Sequence, residues 1–369
     1  MQKKIIALAV TALVSGVAFA QSNVAIYGVV DMGLAQRSNS QTKADSQTKI
    51  DDGISAGSRL GFKGTEDLGN GWSALFTLEN GFAADTGDMR QGGRLFGRQA
   101  FMGLTNASAG TVIAGRLYAP HYSFVSAIDP FKGGTVGMYR NVFAAGVSTG
   151  GENLFDPTRV DNTIAYVSPS FSGFSVTAAY STNAIGQEVT KDSDAKVIAL
   201  LPRYTNGPLD VGFSYHRIKV SSGTVIVDDP KITNWVLGGT YDFGAVKLHA
   251  FYDQNKLKTP NVGHDGKKMK TFLVGLSAPF GQNAVQVSYT QSKLRDNSDA
   301  KDAKASQIAL GYTRNLSKRT NFYAAYATIS NEKKDGDYLR NADVGDSSNS
   351  VSHADGYQRG FQLGLKHTF

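Results

Sequence analysis

The chain has 369 residues, of which 41% are hydrophobic, 10% aromatic and 19% charged, with 41 Gly, 9 Pro and no Cys. So apolar and aromatic a composition excludes a disordered chain, and the lack of cysteine excludes a disulfide scaffold, a thiolate metal site and a cysteine nucleophile. The formal net charge of +7 includes no polybasic block, which argues against nucleic acid as a partner.

Lys3 and Lys4 precede an apolar run over residues 5–14, and Ala18-Phe19-Ala20 supplies a small-x-small cleavage site, so residues 1–20 read as a secretory signal peptide. Cleavage between Ala20 and Gln21 leaves a single mature domain, residues 21–369, with a formal charge of +5 over 349 residues. Beyond the leader there is no apolar run of the roughly 18 residues that a membrane-spanning helix needs. The other structure that satisfies every backbone group in lipid is a closed sheet.

Period-2 alternation runs from end to end. Val24, Ile26, Val30 and Met32 share one face of the first strand, and Leu60 and Phe62 oppose Arg59 and Lys63 in the second. Ala74, Phe76 and Leu78 alternate with Ser73, Thr77 and Glu79, and Arg98 stands on the fourth strand beside Gln99-Ala100-Phe101. The apolar stripes continue as Phe174 to Tyr180, Leu209 to Tyr215, Trp235 to Tyr241 and Val246 to Tyr252, several ending in Tyr as a membrane-interface girdle does. They resume at Phe272, Val285, Ile308 and Phe322 and close with Phe361, Leu363, Leu365 and Phe369.

Seven short turns, such as Leu68-Gly69-Asn70-Gly71, alternate with eight long segments, and these fifteen connections join sixteen strands. About 22 residues per strand and connection fits a tilted membrane strand of about 10 residues plus a turn or loop. The fold class is therefore all-β: a 16-stranded antiparallel transmembrane β-barrel with an inserted third loop.

That third loop, residues 117–157, carries Tyr118, Phe124, Ile128, Phe131, Tyr139 and other apolar side chains unsuited to a solvated surface. Folding inward would narrow the wide lumen of a sixteen-stranded barrel, and a lid or partner-binding surface outside is the other arrangement open to it. Arg59, Lys63, Arg98 and Arg159 should point inward, because a charge facing lipid costs about 2–4 kcal/mol near the bilayer midplane. Opposite them the loop holds the acids Asp129, Glu152 and Asp156 and the bases Lys132 and Arg140. A basic wall facing a weakly acidic loop makes a positively biased field, unless the arginines merely pair with loop carboxylates.

Long collinear motifs carry a family resemblance: Ile26-Tyr27-Gly28-Val29-Val30-Asp31, Ser58-Arg59-Leu60-Gly61-Phe62-Lys63-Gly64, Arg98-Gln99-Ala100-Phe101-Met102-Gly103-Leu104, Gly115-Arg116 and the terminal Phe369. Over the whole mature chain the sequence resembles the general trimeric porins of Gram-negative outer membranes, in their β-proteobacterial branch. The resemblance implies a homotrimer among outer-membrane lipid and lipopolysaccharide, an inward third loop and passive diffusion of small hydrophilic solutes and ions. It implies that Arg59, Arg98 and Arg159 form the basic wall of the constriction and that residues 129–134 form the loop tip. At that tip Lys132 stands close to Asp129, weakening any cation preference. It further implies that the assembly machinery reads Phe369 and that residues 83–94 latch a neighbouring subunit, where Arg116 either meets the latch or lines the lumen.

A filter needs no cofactor, metal or catalytic group, and the sequence offers no such set. A barrel enzyme would gather Ser, His and acid. Here His121, His216, His249, His264, His353 and His367 are dispersed, and His216 and His249 read as solvated wall residues on the ninth and eleventh strands. A substrate-specific channel is the alternative, with Tyr118, Tyr122 and Phe131 as its aromatic contacts. The mature chain is thus expected to form an outer-membrane channel that mildly prefers anions.

Overall fold

The computed structural model describes residues 23–38, 46–142, 148–149, 152–153, 156–184, 195–220, 230–258, 266–296, 302–332 and 358–369. Ala20 and Gln21, and with them the expected leader, lie outside the described residues. Chain order gives β1 (Asn23–Ser38), β2 (Gln47–Asp52), β3 (Arg59–Gly69), β4 (Trp72–Gly81), β5 (Gln99–Asn106), β6 (Gly110–Tyr118) and helix α1 (Pro120–Ile128). A small hairpin follows, β7 (Ser148–Thr149) and β8 (Glu152–Asn153), and then β9 (Arg159–Val167), β10 (Phe174–Ser181), β11 (Ala195–Asn206), β12 (Leu209–Val220) and β13 (Lys231–Asp242). The last six are β14 (Lys247–Lys258), β15 (Lys267–Phe280), β16 (Asn283–Asp296), β17 (Ala303–Asn315), β18 (Thr320–Glu332) and β19 (Arg359–Thr368).

Every strand outside the β7–β8 hairpin pairs antiparallel with its neighbours, and β19 returns to β1, so the sheet closes on itself. Both β2 and β3 pair with β1, one along Met32 to Arg37 and the other along Asn23 to Val29. They are two halves of one stave, broken at residues 53–58, and the barrel has sixteen staves. The Asp31 carboxylate holds the break by accepting bonds from the Ser55 and Ala56 N–H groups at 2.8 and 2.6 Å. Without it these backbone donors would be stranded on the inner wall. The seam is sealed where Gly28 N–H donates to the Phe369 carbonyl at 3.0 Å and Phe369 N–H donates back to Gly28 at 3.1 Å.

The two faces follow the alternation. Met102, Leu237 and Ile308 are 67%, 53% and 57% exposed, all on the outer face where lipid replaces water. Among the described residues no helix is long and apolar enough to cross a membrane, so the crossing belongs to the strands.

The connection from β6 to β9 enters the lumen. The sequence reads as irregular here, whereas the structure forms a nine-residue helix that starts on Pro120, where a missing N–H costs nothing. Its buried residues are His121, Phe124, Val125 and Ile128, a single stripe at helical spacing that packs on β10 to β14. Hydrophobic periodicity at this length cannot be separated from loop packing until the wall it meets is known. That wall is notched by glycine. A Cβ on Gly212 would lie 2.8 Å from the Phe124 ring, one on Gly238 2.7 Å from Ile128, and one on Gly311 2.7 Å from Phe131. The missing side chains form a channel in which the loop lies flush against the strands.

Past the helix the loop follows the wall onward. Val136 N–H donates to Gln362 Oε1 of β19 at 2.7 Å, Thr135 N–H donates to the Ile54 carbonyl at 2.5 Å, and Gln307 of β17 donates to the Gly137 carbonyl at 2.9 Å. Asn141 Nδ2 donates to Gln307 Oε1 at 2.9 Å, completing an amide clamp. The loop thus lies along the inner face from β10 round to β19 and reaches the β2–β3 break at Ile54, and most of the arc from β1 to β9 faces the lumen across from it.

Candidate functional site

On that arc stand the predicted basic residues. Arg59 and Lys63 project inward from β3, Arg98 immediately precedes β5, and Arg159 opens β9. Arg98 and Arg159 converge on Tyr118 at the end of β6. Arg98 Nη2 donates to the Tyr118 hydroxyl at 2.5 Å and Arg159 Nη2 at 3.5 Å, with the two guanidinium carbons 6.0 and 5.0 Å from the ring centroid. A tyrosine face is a good platform for planar cations, since its quadrupole offsets part of their mutual repulsion. Tyr122 stacks on Tyr118 at 5.7 Å and carries Arg140 at 5.3 Å from its own ring centroid. The ladder of cations and rings therefore extends onto the loop.

One carboxylate enters the cluster. Glu79 of β4 accepts from Arg98 Nε at 2.8 Å and from the Tyr27 hydroxyl at 3.0 Å. Arg59 directs its Nε to the Gly57 carbonyl at 3.0 Å, and the ion pairs of the described residues give neither Arg59 nor Arg159 a carboxylate. Three guanidinium groups against one carboxylate leave two net positive charges in this patch. Lys63 lies nearer the β3–β4 turn, with its ammonium 5.3 Å from the Tyr27 ring centroid. The sequence does not single out Glu79, although its position on the inward face, two residues along β4 from Arg59's partner Gly81, is legible in the Ala74-Phe76-Leu78 alternation.

The loop residues are arranged differently from the wall. Asp129 is 1% exposed and turned into its own backbone, accepting from Phe131 N–H at 3.2 Å and Gly133 N–H at 2.9 Å. Burial pushes its carboxyl up to about 7, although those two N–H bonds pull it down. The neighbouring Lys132 is exposed at a left-handed backbone position, φ 53°. The loop tip thus shows the lumen a cation while its acid is folded away. Asp156 is likewise occupied, bonded to Arg140 Nε and the Tyr139 hydroxyl, each at 2.9 Å. The Glu152 side chain lies outside the described residues.

Arg116 bonds Asp161 of the adjacent β9, which also receives Arg94 at 2.7 Å, so an intrachain cluster holds it. In the segment 83–94, Arg90 bonds Asp52 of β2. His216 and His249 do lie on inward faces, but they are 2% and 6% exposed rather than solvated. His216 packs edge-on to His121 at 5.2 Å, and His249 bonds the Ile128 carbonyl at 2.9 Å. The helix that covers them is the element that periodicity did not disclose.

A sequence model of the family described as Gram-negative porin matches residues 7–334 of this chain. Outer membrane porin protein 32 of Delftia acidovorans is 35% identical, the match covering 100% of both chains. Among solved structures, the anion-selective porin from Comamonas acidovorans superimposes with a TM-score of 0.76 at 30% identity, over 95% of this chain and 100% of that one. The fold also matches the trimer form of the Vibrio cholerae outer membrane protein OmpT, with a TM-score of 0.66 at 16% identity, over 94% of this chain and 99% of that one.

Proposed function

The chain belongs to the Gram-negative porin family, and from that premise we propose that its lumen is an eyelet for small hydrophilic solutes, lined on one side by Arg59, Arg98 and Arg159 and narrowed by residues 117–157. It resides in the outer membrane and serves passive diffusion. The observation that carries an anion preference is the excess of guanidinium over carboxylate on the open arc, strengthened by Lys132 at the loop tip. Such a field raises the local concentration of anions and lowers that of cations without binding either tightly. The anion selectivity named for the Comamonas porin, whose fold and sequence run close to this one, supports the same reading.

Residues 1–20 act as an export signal cleaved between Ala20 and Gln21, and residues 21–369 form the barrel. The working assembly is a homotrimer embedded in lipid and lipopolysaccharide, in keeping with the trimer form of the Vibrio relative. Phe369 serves as the assembly signal as well as the seam. The family and fold are those of channels, and diffusion through this one requires no chemical step, cofactor or metal.

The test is the reversal potential of the refolded protein in a planar bilayer under a KCl gradient. The native channel should show an anion-preferring sign, and replacing Arg59, Arg98 and Arg159 together by Ser should move it toward cations. An unchanged reversal potential would overturn the assignment of the wall.

A further inference from the structure

Between α1 and the inner wall lies a cavity of about 330 Å³. Its lining is unlike that of an aqueous channel: Phe101, Ile113, Ala165, Val197, Ala199 and Leu201 face it from β5, β6, β9 and β11, roofed by Phe124 of the helix. Inward positions of a porin barrel contact water, and alternation normally makes them polar. Here the inward positions 101, 113, 165, 197, 199 and 201 are apolar, with Thr163, Thr177 and Ser181 among them. Tyr118 closes one end of this cavity, and its ring and hydroxyl carry the Arg159 guanidinium. Arg159 is 9% exposed, and its Nε is buried with no hydrogen-bond partner. Arg203, the arginine that itself lines the cavity, is neutralised by a two-pronged bond to Asp210, whereas Arg159 adjoins the cavity through Tyr118. The cavity therefore has an apolar body and, at one end, a tyrosine that carries a cation with an unpartnered donor.

A partly open, mostly apolar recess with a few convergent polar groups is a usual form of small-molecule site, and this volume suits a single ring. We propose that the cavity receives the apolar ring of a small aromatic carboxylate while the carboxylate pairs with Arg159 beside Tyr118. The channel then has a saturable site for such anions in addition to free diffusion. This inference rests on the channel reading above, because the ligand reaches the cavity from the lumen.

The experiment records the KCl current through the full refolded channel while phenylacetate, acetate or benzyl alcohol is added at constant ionic strength. Phenylacetate should reduce the current saturably, and acetate and benzyl alcohol should each need at least tenfold higher concentration, because one lacks the ring and the other the charge. Ala199→Phe, which fills the cavity, should raise the half-blocking concentration of phenylacetate at least tenfold; if that variant does not insert, Ala165→Leu makes the same test. Equal potency of phenylacetate and acetate, or fill variants with native potency, would overturn the site while leaving the channel reading intact. A native barrel with no KCl current would instead overturn the channel reading and this site with it.

Discussion

Glu79 sets the strength of the wall as much as any one arginine does. It is the carboxylate that bonds Arg98, and its removal unmasks a full positive charge beside Tyr118. A charge about 5 Å from a passing ion is worth about 0.8 kcal/mol in bulk water, or about fourfold in local ion concentration. Glu79→Gln should accordingly raise the anion-to-cation permeability ratio several-fold in the reversal-potential measurement, and a fall would contradict the charge count. Asp129 has a separate role, in the loop turn. Its carboxyl is held up near 7 against an ordinary 3.8, so its protonated form is the one the folded turn favours. The resulting contribution is full below about pH 4 and is lost as pH rises through about 7. His121, between Asp156 at 3.5 Å and Asp253 at 3.7 Å with Arg140 and His216 nearby, is driven by burial the other way. Its neutral form is favoured, and its contribution is lost as pH falls through its lowered value. Open-channel current noise from loop motion should therefore grow as pH rises toward and past about 7, and Asp129→Asn should flatten that rise. A rise that persists in the variant would assign it to another group.

The third loop behaves as an element because the wall is cut to receive it. Gly212, Gly238 and Gly311 lie on three different staves and each admits a different loop side chain. Filling a notch has a directional consequence, since strands in a closed sheet have nowhere to move and the loop does. Overpacking of this kind typically costs about 1–3 kcal/mol. Gly212→Val should push Phe124 and the helix away from β12 toward the arginine arc, lowering single-channel conductance while the barrel still forms. Unaltered conductance in a folded variant would show that the loop does not bound the eyelet.

On the scale of the whole molecule, alternation together with the count of turns and loops disclosed the barrel, its sixteen staves and which face meets lipid, because lipid enforces a period of two on every stave. Arg59, Lys63, Arg98 and Arg159 were legible as inward for the same reason. The break in the second stave was not, since β2 and β3 are separated by residues that depend on Asp31, a partner in another strand. Nor was the burial of His216 and Asp129, or the apolar patch at Ala199 and Leu201. Period-two patterning tells inside from outside but is silent on which part of the inside another segment covers. The helix over residues 120–128 decides that, and its own stripe spans little more than two turns.

The amide clamp also orders events in time. Val136 bonds a residue 226 positions further along the chain, and the loop's Gly137 bonds one 170 positions away. Contacts so distant in sequence form last, after the closure entropy of the intervening chain has been overcome. Gln362 belongs to the final strand, so the far half of the loop can settle only once that strand is in place, and each new molecule passes through a stage with its walls nearly built and its aperture wide. With no native cysteine to interfere, Val136→Cys reports on that stage during refolding. Its thiol should stay reactive until the chain gains the electrophoretic mobility of the closed form, and earlier protection would place the loop ahead of the ring.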